Sequence, residues 1–209
     1  MTPVIEKLAH PFPHLIVRNM YTEQELDLIW QELNFLTYSS KLTGPENYLG
    51  AQNDLGEYLS NAKALFLDTV YQKREYSNIL TVNRKLFNGG FTQFFSELSP
   101  DLKFIPLVNY DITKVRYYQN GEYYKPHIDH KFAALSLSYF YRNPKQFSGG
   151  ELFFPPYDYE FDCTHNSMIL FPGYVEHGVK EVKTDENPYS GGSRYCMTQF
   201  LSHNTITSP

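Results

Sequence analysis

The residues best suited to chemistry are His127 and Asp129, which are separated by one residue in KPHIDH. On an extended strand, side chains two residues apart project from the same face. An imidazole and a carboxylate projected together can occupy adjacent positions on a divalent metal, and one more histidine completes a facial triad. Such a triad leaves coordination positions open for substrate-derived ligands and oxygen.

The third ligand of such a triad must come from elsewhere in the chain. We predict His177, in FPGYVEHGVKEV, because it lies in a Gly-flanked turn that leads into an apolar strand. His165, in FDCTHNSM, is the competitor, but its polar turn favours a solvent-exposed side chain. His130 faces away from His127 if the strand continues, which indicates a position on the surface or behind the ligands.

The elements that position these residues are predicted to be strands. After Pro100 the chain consists of short β-branched or aromatic segments separated by Gly, Pro, Asn and Asp. These segments are ITKVRYY, ALSLSYFY, GELFF, SMILF and RYCMTQFL. Alternation on RYCMTQFL predicts an inward-facing set, formed by Arg194, Cys196, Thr198 and Phe200. On ALSLSYFY we expect the face with Ser136 and Ser138, and not that with Leu135, Leu137 and Tyr139, to line the cavity.

Helices are predicted before Pro100. Thr22 and Glu25 form a capping-box pair, and apolar residues follow at helical spacing up to Leu36. A second helix is expected over residues 59–70 and a third over about 82–98, with a break at Gly89-Gly90. Residues 42–56 are predicted to form a loop.

Helices followed by many short strands indicate an α+β fold in which helices buttress one face of an antiparallel sandwich or jelly roll. The length of 209 residues favours one domain, 1–209. Its N-terminal part, about 1–100, is expected to be helical, and its jelly-roll core to span about 104–202.

The composition excludes several classes of protein. A net charge of −5 without a basic run argues against a nucleic-acid partner. The two cysteines form no CxxC pair, so buried thiols in a reducing compartment are expected. The N-terminus has no basic segment followed by an apolar stretch, and no apolar window is long enough for a membrane span. We therefore expect a cytoplasmic protein with no membrane partner.

Four motifs occur in a fixed order across about 85 residues: YYQNGEYYKPHIDH, SGGELFF, FPGYVEHGV and GGSRYCMTQFL. Together they resemble the prolyl 4-hydroxylase-like branch of the iron(II)/2-oxoglutarate-dependent dioxygenases. The resemblance covers roughly residues 104–202, and the opening PFPHLIVRNMYTEQEL is similar to the start of these domains. It implies a double-stranded β-helix, which is a jelly-roll fold.

The resemblance also implies roles for individual residues. His127, Asp129 and His177 would bind Fe(II), and Arg194 would pair with the distal carboxylate of 2-oxoglutarate. Tyr118 matches the tyrosine that contacts the same co-substrate. A guanidinium suits this role because its planar fork binds a carboxylate through two hydrogen bonds. The other reactant implied is O2, with ascorbate as a further cofactor; the products are hydroxylated substrate, succinate and carbon dioxide.

Two features depart from the family pattern. Arg194 follows His177 by 17 residues, which is farther than usual, and we expect the polar insertion at 183–193 to loop out. Cys196 stands where many relatives have a serine that bonds the co-substrate. Lys180 is an alternative partner for the carboxylate, although its position in GVKEV favours a solvent-facing side chain.

The resemblance favours a prolyl residue in a peptide or protein as the substrate. Tyr117, Tyr123 and Tyr124 can hold a pyrrolidine ring against an aromatic face, or they can be core and strand-pairing residues. One alternative keeps the chemistry but uses a free amino acid, another small metabolite or a modified base. A second is a non-catalytic, cupin-like metal-binding jelly roll, which would not need Arg194 and Tyr118. A third, a zinc hydrolase, would need a further carboxylate base near the metal.

Overall fold

The computed structural model describes residues 2–48, 50–185 and 192–203. The described helices are α1 (Glu23–Tyr38), α2 (Leu67–Val70), α3 (Asn78–Val82), α4 (Lys85–Asn88) and α5 (Phe91–Ser96). The described strands are β1 (Val4–Leu8), β2 (His14–Arg18), β3 (Lys63–Phe66), β4 (Tyr110–Tyr118), β5 (Tyr124–His127), β6 (Ala134–Phe140), β7 (Ser148–Gly149), β8 (Leu152–Phe154), β9 (Tyr159–Phe161), β10 (Ser167–Pro172), β11 (His177–Val179), β12 (Val182–Lys183) and β13 (Arg194–Ser202).

Two antiparallel sheets form the core of the fold. The larger has the order β1-β2-β10-β6-β13-β4-β3, and the smaller has the order β5-β11-β8-β9. One hydrophobic cluster joins the helices to one face of the larger sheet, through residues such as Ile29, Leu33 and Met197. A second cluster lies between the two sheets and includes Leu137 and Leu152. This is the predicted α+β fold, a double-stranded β-helix buttressed by helices.

Helix α1 is the first predicted helix and begins where the sequence indicated. The backbone N–H of Thr22 donates to the Glu25 carboxylate at 2.7 Å, and the Glu25 N–H donates to Thr22 Oγ1 at 3.3 Å. This reciprocal capping box satisfies two donors that the first turn leaves free. The apolar face of the helix packs on the sheet through Ile29, Leu33 and Leu36, all of which are buried.

The predicted second helix over 59–70 is wrong in its first part. Lys63–Phe66 forms strand β3, which pairs with β4 at the edge of the larger sheet, and only Leu67–Val70 is helical. A short apolar run does not distinguish a strand from a helix by its spacing. The exposed edge of β4 decided the outcome, because pairing with it satisfies the backbone groups of residues 63–66.

The remaining predictions before Pro100 are confirmed in part. The third helical region is divided into α3, α4 and α5, and the last break falls at Gly89-Gly90 as predicted. Residues 42–56 form a loop that contains a 3-10 turn at Pro45–Asn47 and isolated β-bridges at Thr43 and Gln52; Leu49 lies outside the described residues. The N-terminal part is not purely helical, since β1, β2 and β3 all join the larger sheet.

All five strands predicted after Pro100 are present as β4, β6, β8, β10 and β13. Strand β13 pairs without interruption with β4 from Arg194 to Ser202, so the insertion before it does not disturb this pair. Residues 186–191 of that insertion lie outside the described residues. The assignment of residues 1–209 to a single domain stays a prediction.

The predicted inward face is right for β13 and wrong for β6. Cys196, Thr198 and Phe200 line the cavity between the sheets. On β6 it is Leu137 that lines this cavity, whereas the Ser138 hydroxyl lies 3.3 Å from Tyr21 Oη on the helix side. Both faces of β6 are covered, so polarity alone did not reveal which face meets the cavity and which meets the helices.

In the described part of the chain, none of the helices combines the length and the apolar character that a transmembrane span requires.

Candidate metal centre and anion site

His127 and His177 meet across a pair of neighbouring strands. His127 is the last residue of β5, His177 is the first residue of β11, and the two are directly opposed in the antiparallel register. The pairing is irregular between His177 and Val179. The two imidazole rings lie 4.4 Å apart between centroids. Two residues separated by 50 positions in the sequence are therefore adjacent at one end of the smaller sheet.

Asp129 completes the cluster from a turn. Strand β5 ends at His127, so the side-chain alternation expected for one continuous strand does not apply to Asp129. Its backbone N–H donates to the carbonyl oxygen of Gly173 at 3.1 Å. Its Oδ2 lies 3.7 Å from His127 Nε2 and 3.8 Å from His177 Nε2. The ligand atoms of all three residues lie within 4.8 Å of one another, as a shared metal ion requires.

Hydrogen bonds orient both imidazoles. His127 Nδ1 lies 3.0 Å from the Lys125 carbonyl oxygen, and His177 Nδ1 lies 3.0 Å from the Val175 carbonyl oxygen. A carbonyl oxygen only accepts, so each Nδ1 carries the proton and donates it. Each Nε2 then presents a lone pair toward Asp129. A hydrogen bond from the ring nitrogen that does not bind the metal is the usual means by which a protein fixes the tautomer and orientation of a metal-binding histidine.

Burial keeps both imidazoles neutral. The side chains of His127 and His177 are 8% and 5% exposed. Burial lowers the pKa of His127 well below its ordinary value of 6.5, and the neighbouring His177 lowers it further. Burial also lowers the pKa of His177, although Asp129 opposes the shift. Neutral imidazoles bind metal and protonated ones do not, so the histidines are already in the ligating form at neutral pH.

The metal-free protein is expected to lose stability as the pH falls below about 6.5. The unfolded chain takes up protons at His127 and His177 near this pH, whereas the folded chain resists them. Each buried histidine can therefore contribute up to about 1.4 kcal/mol per pH unit to the decline, until its own folded-state pKa is reached. Urea unfolding of chelator-treated protein at pH 7.5, 6.5 and 5.5 measures this slope.

The control for this experiment is His177→Gln, which removes one of the two titrating groups. Burial raises the pKa of Glu122 to about 7, so protonation of Glu122 stabilises the folded protein as the pH falls. Both proteins contain Glu122, so its contribution cancels when their slopes are compared. We expect a shallower decline for His177→Gln than for the wild type. Equal slopes would show that His177 takes up its proton as readily when folded as when unfolded.

The three residues lie at a narrow cavity between the sheets. Its lining combines the cluster with polar and apolar side chains of β4, β5, β6, β8, β11 and β13: Arg116, Tyr118, Tyr124, His127, Asp129, Leu137, Leu152, His177, Val179, Cys196, Thr198 and Phe200. The ring of Tyr124 stacks on the ring of His127, with centroids 3.9 Å apart and planes 18° from parallel. The walls are thus mostly apolar and aromatic, and the polar groups are few and convergent, as in ligand sites generally.

Arg194 is the first residue of β13 and is directly opposed to Tyr118 on β4. It is 1% exposed, and its Nε and Nη1 have no hydrogen-bond partner among the described residues. The guanidinium carbon lies 4.5 Å from the centroid of the Tyr118 ring and 5.0 Å from that of Tyr139. Nη2 contacts only the Cys163 sulfur, at 3.7 Å, in the described structure. A buried cation without a counter-ion is costly, so this arrangement favours an anionic ligand.

The other histidines and the alternative cation lie outside the cluster. His165 accepts a hydrogen bond from the Tyr141 N–H and lies against Trp30, so it is more buried than its polar turn indicated. His130 is exposed, as predicted for a surface position. Lys180 faces the solvent, as its sequence context predicted, and forms an ion pair with Glu160.

Of the three tyrosines predicted near the metal, only Tyr124 lines the cavity. Tyr117 packs in the cluster on the helix side of the sheet, with its ring 4.5 Å from that of Tyr195. Tyr117 and Tyr118 are consecutive on β4 and must face opposite sides of the sheet. Because Tyr118 lines the cavity, Tyr117 faces the helices. The core interpretation is therefore right for Tyr117.

Two residues of this region were missed from the sequence. Arg116 lines the cavity, and alternation from Tyr118 along β4 would have placed it on the same face. The hydroxyl of Tyr139 lies beside Arg194 and the Cys163 thiol and has no hydrogen bond of ordinary geometry among the described residues. No feature of ALSLSYFY distinguishes Tyr139 from an ordinary core tyrosine.

Residues 113–202 match the sequence model of the 2OG-Fe(II) oxygenase superfamily. The chain is similar in structure to a prolyl-4-hydroxylase from Pseudomonas putida, with 10% identity, a TM-score of 0.57 and coverage of 91% of this chain and 92% of that one. It is also similar to a collagen prolyl hydroxylase of Paramecium Bursaria Chlorella virus-1, with 14% identity, a TM-score of 0.56 and coverage of 90% and 94%. A 2OG-Fe(II) oxygenase family oxidoreductase from Burkholderia pseudomallei gives 14% identity, a TM-score of 0.58 and coverage of 91% and 85%.

No curated protein matches the chain. The resemblance seen in the sequence is confirmed by the superfamily match and by the fold of these structures. The superfamily match supports an oxidoreductase of the dioxygenase class, whose family implies Fe(II), 2-oxoglutarate and O2.

Proposed function

We propose that this protein is an iron(II)- and 2-oxoglutarate-dependent dioxygenase that hydroxylates its substrate and releases succinate and carbon dioxide. The observation that carries the proposal is the juxtaposition of two unusual features in one barrel. One is the His127–Asp129–His177 cluster, and the other is Arg194, a buried guanidinium whose Nε and Nη1 lack partners among the described residues. A metal-binding barrel without a co-substrate has no use for the second feature.

His127, Asp129 and His177 are proposed as the iron ligands. Their donor set, two imidazoles and one carboxylate, suits Fe(II) better than magnesium or calcium and leaves positions open on one side of the ion. When bound, iron, 2-oxoglutarate and oxygen supply the oxidising power for the reaction. The chain itself holds the ligands in place through the Lys125 and Val175 carbonyls and excludes water with apolar walls.

Arg194 and Tyr118 are proposed to bind 2-oxoglutarate, with Tyr139 added from the structure. The fork of Arg194 is open for the distal carboxylate, and the Tyr139 hydroxyl is placed beside it to donate a further hydrogen bond. Burial raises the pKa of Tyr118 and of Tyr139, so both phenols are neutral donors at physiological pH. Charge-assisted hydrogen bonds of this kind are about twice as strong as those between neutral groups.

Gly150, in the SGGELFF motif, makes room for Arg194. A Cβ at this position would lie 2.7 Å from Arg194 Cδ and 2.9 Å from Val182 Cγ2, and the φ of Gly150 is +75°. We expect Gly150→Ala to be destabilised by about 1–3 kcal/mol through overpacking, in addition to its backbone strain. It should also bind 2-oxoglutarate more weakly, because Arg194 must move.

The matched control is Gly121→Ala. Gly121 has a φ of +77° but nothing within 4 Å of the added Cβ, so it carries the same backbone strain without the clash. Denaturant unfolding and calorimetric titration of 2-oxoglutarate into manganese-loaded protein compare the two variants. If both variants lost the same affinity for 2-oxoglutarate, the contact between Gly150 and Arg194 would not be the cause of the loss.

The substrate is proposed to be a prolyl residue in a peptide or protein. The support is the fold, which the chain shares with a prolyl-4-hydroxylase and a collagen prolyl hydroxylase, and the aromatic face of Tyr124 in the cavity. The same chemistry on a free amino acid or other small metabolite is the alternative, and the cation at Arg116 favours it for a substrate with an acid group. Succinate release from proline-containing peptides and from free amino acids compares the two.

The deciding experiment measures co-substrate binding to the iron. Anaerobic addition of 2-oxoglutarate to iron(II)-loaded protein is expected to produce a visible charge-transfer band, which requires chelation of the metal by the co-substrate. Protein that binds iron but gives no band would be a metal-binding jelly roll instead.

We further propose a cytoplasmic location, supported by two cysteines that are free and buried, and a stimulation of turnover by ascorbate.

A further inference from the structure

Arg116 is a second buried guanidinium in the same barrel, and the proposed binding of iron and 2-oxoglutarate does not use it. It lies on the inward face of β4, between Lys114 and Tyr118. It is 5% exposed, and its Nε has no hydrogen-bond partner among the described residues. The hydrogen bond from Nη1 to Tyr118 Oη is long, at 3.5 Å. The polar capacity of this side chain is therefore largely unused.

The guanidinium of Arg116 is close to the reacting centre. Arg116 lines the cavity that also contains His127, Asp129 and His177. Its Cζ lies 4.4 Å from the centroid of the Tyr124 ring, and that ring also stacks on His127, with centroids 3.9 Å apart. Stacking on Tyr124 holds the planar group in place, so its hydrogen-bonding edge is preorganised for a ligand that enters the cavity.

No carboxylate forms an ion pair with Arg116 in the described structure; the buried carboxyl group of Glu122 interacts with it only at longer range, and burial raises the pKa of Glu122 to about 7. The ion pairs within 4 Å among the described residues include neither Arg116 nor Lys114. Tyr118 and Tyr124 are neutral, since burial raises the pKa of both phenols. Lys114, two residues away on the same face of β4, is also buried, and burial lowers the pKa of its ammonium group well below the ordinary value, so it supplies no negative charge to Arg116. An unpaired buried charge is destabilising, so an anion is expected to enter with a ligand.

The co-substrate cannot supply this anion once its own sites are filled. In the proposed function, one carboxylate of 2-oxoglutarate binds the metal with the keto oxygen, and the other binds Arg194. The charges of iron(II), Asp129, the 2-oxoglutarate dianion and Arg194 then cancel. Arg116 then remains as a cation without an ion-pair partner in the cavity that contains the proposed metal ligands, and the primary substrate would enter this cavity.

We propose that Arg116 is a specificity-determining residue that binds a carboxylate of the primary substrate. The substrate class is then a carboxylic acid whose oxidised carbon lies close to the acid group, such as a free amino acid or a peptide oxidised at its C-terminal residue. This inference rests on the proposed dioxygenase function and narrows its substrate. Free proline and a C-terminal prolyl residue both fit it, whereas a prolyl residue within a chain does not unless an acid group lies beside it.

The test compares acids with their amides. The probes are L-proline and L-prolinamide, glycyl-L-proline and glycyl-L-prolinamide, and acetate and acetamide. Each is titrated at constant ionic strength into full-length protein loaded with manganese(II) and 2-oxoglutarate, and the Tm is followed. Succinate release by the iron-loaded protein gives kcat/KM for the same pairs. The variants are Arg116→Gln and Arg116→Lys, with Arg142→Gln as a control that loses the same charge at an exposed site.

We expect at least one acid to raise the Tm of the wild type, and its amide to bind about 30-fold more weakly or worse, as for the loss of a buried charge pair. Arg116→Gln should lose this preference while its affinity for 2-oxoglutarate stays within about threefold of the wild type. Arg116→Lys should keep part of the preference because it keeps the charge, and Arg142→Gln should keep all of it.

Three results would overturn the inference while the dioxygenase function stands. One is that no acid raises the Tm of the wild type, and another is that Arg116→Gln keeps the preference for acids. The third is that Arg116→Gln loses 2-oxoglutarate affinity as an Arg194 variant does, which would assign Arg116 to the co-substrate. Failure of the proposed function is recognised separately, because 2-oxoglutarate itself would then not raise the Tm of metal-loaded wild type, and both proposals would fall together.

Discussion

The Asp129→Ala variant is expected to lose substrate-dependent succinate formation by a factor on the order of 100 or more, since loss of a group that merely orients a ligand already costs 10- to 100-fold. Asp129 is the single carboxylate of the cluster, and its Oδ2 lies within 4 Å of both Nε2 atoms. Alanine leaves two neutral imidazoles, which cannot neutralise part of the charge of the ion. Succinate release and bound iron per chain are the two measurements.

The matched control for Asp129→Ala is His165→Gln. His165 was the competing candidate for the third ligand, and it lies against Trp30 outside the cluster. We expect this variant to retain iron and to turn over at close to the wild-type rate. If Asp129→Ala formed succinate at the wild-type rate, the assignment of the three ligands would be wrong. This conclusion would not depend on the activity of His165→Gln.

The Arg194→Met variant is expected to bind 2-oxoglutarate about 100-fold or more weakly, because a buried charge-paired hydrogen bond is worth on the order of 2–5 kcal/mol. The same change should make the ligand-free protein as stable as the wild type or more stable by about 1–4 kcal/mol, since methionine fills the site without a buried charge. Arg194 has only the Cys163 sulfur as a polar contact in the described structure, so little is lost with it.

Calorimetric titration of 2-oxoglutarate into manganese-loaded protein measures the first effect, and urea unfolding of the metal-free protein measures the second. Arg194→Lys is the companion variant, because it keeps the charge but not the planar fork, and an intermediate affinity is expected. An unchanged affinity in Arg194→Met would show that the distal carboxylate binds elsewhere, and Arg116 would be the first residue to examine. A large loss of stability would indicate that Arg194 acts mainly in packing.

The opposite effects expected at Arg194 follow from one physical cause. A barrel that holds a cation ready for an anionic ligand is less stable without that ligand than one with an apolar side chain at the same position. Binding sites often retain such unfavourable groups, because the stability lost in the free protein is recovered as affinity when the ligand enters. Arg116 presents the same combination of burial and missing partners, which is why we assign it a ligand as well.

By itself, the sequence determined the local features of the molecule and the main candidates for its site. The capping box at Thr22 and the five strands after Pro100 were readable, because their signals repeat every few residues and depend only on near neighbours. The cluster of His127, Asp129 and His177 was predicted correctly as a meeting of three side chains. Its assignment to iron, like the roles of Arg194 and Tyr118, came from the order of the motifs and stays a prediction.

Only the tertiary structure decided which faces and partners those elements have. Residues 63–66 became strand β3 because the edge of β4 was available to pair with them. The serines of β6 turned to the helices and Leu137 to the cavity, because both faces of that strand are covered. Arg116 Nε has no hydrogen-bond partner among the described residues, and this depends on all the side chains that surround it. Such properties are set by residues distant in the chain, whose approach no local periodicity records.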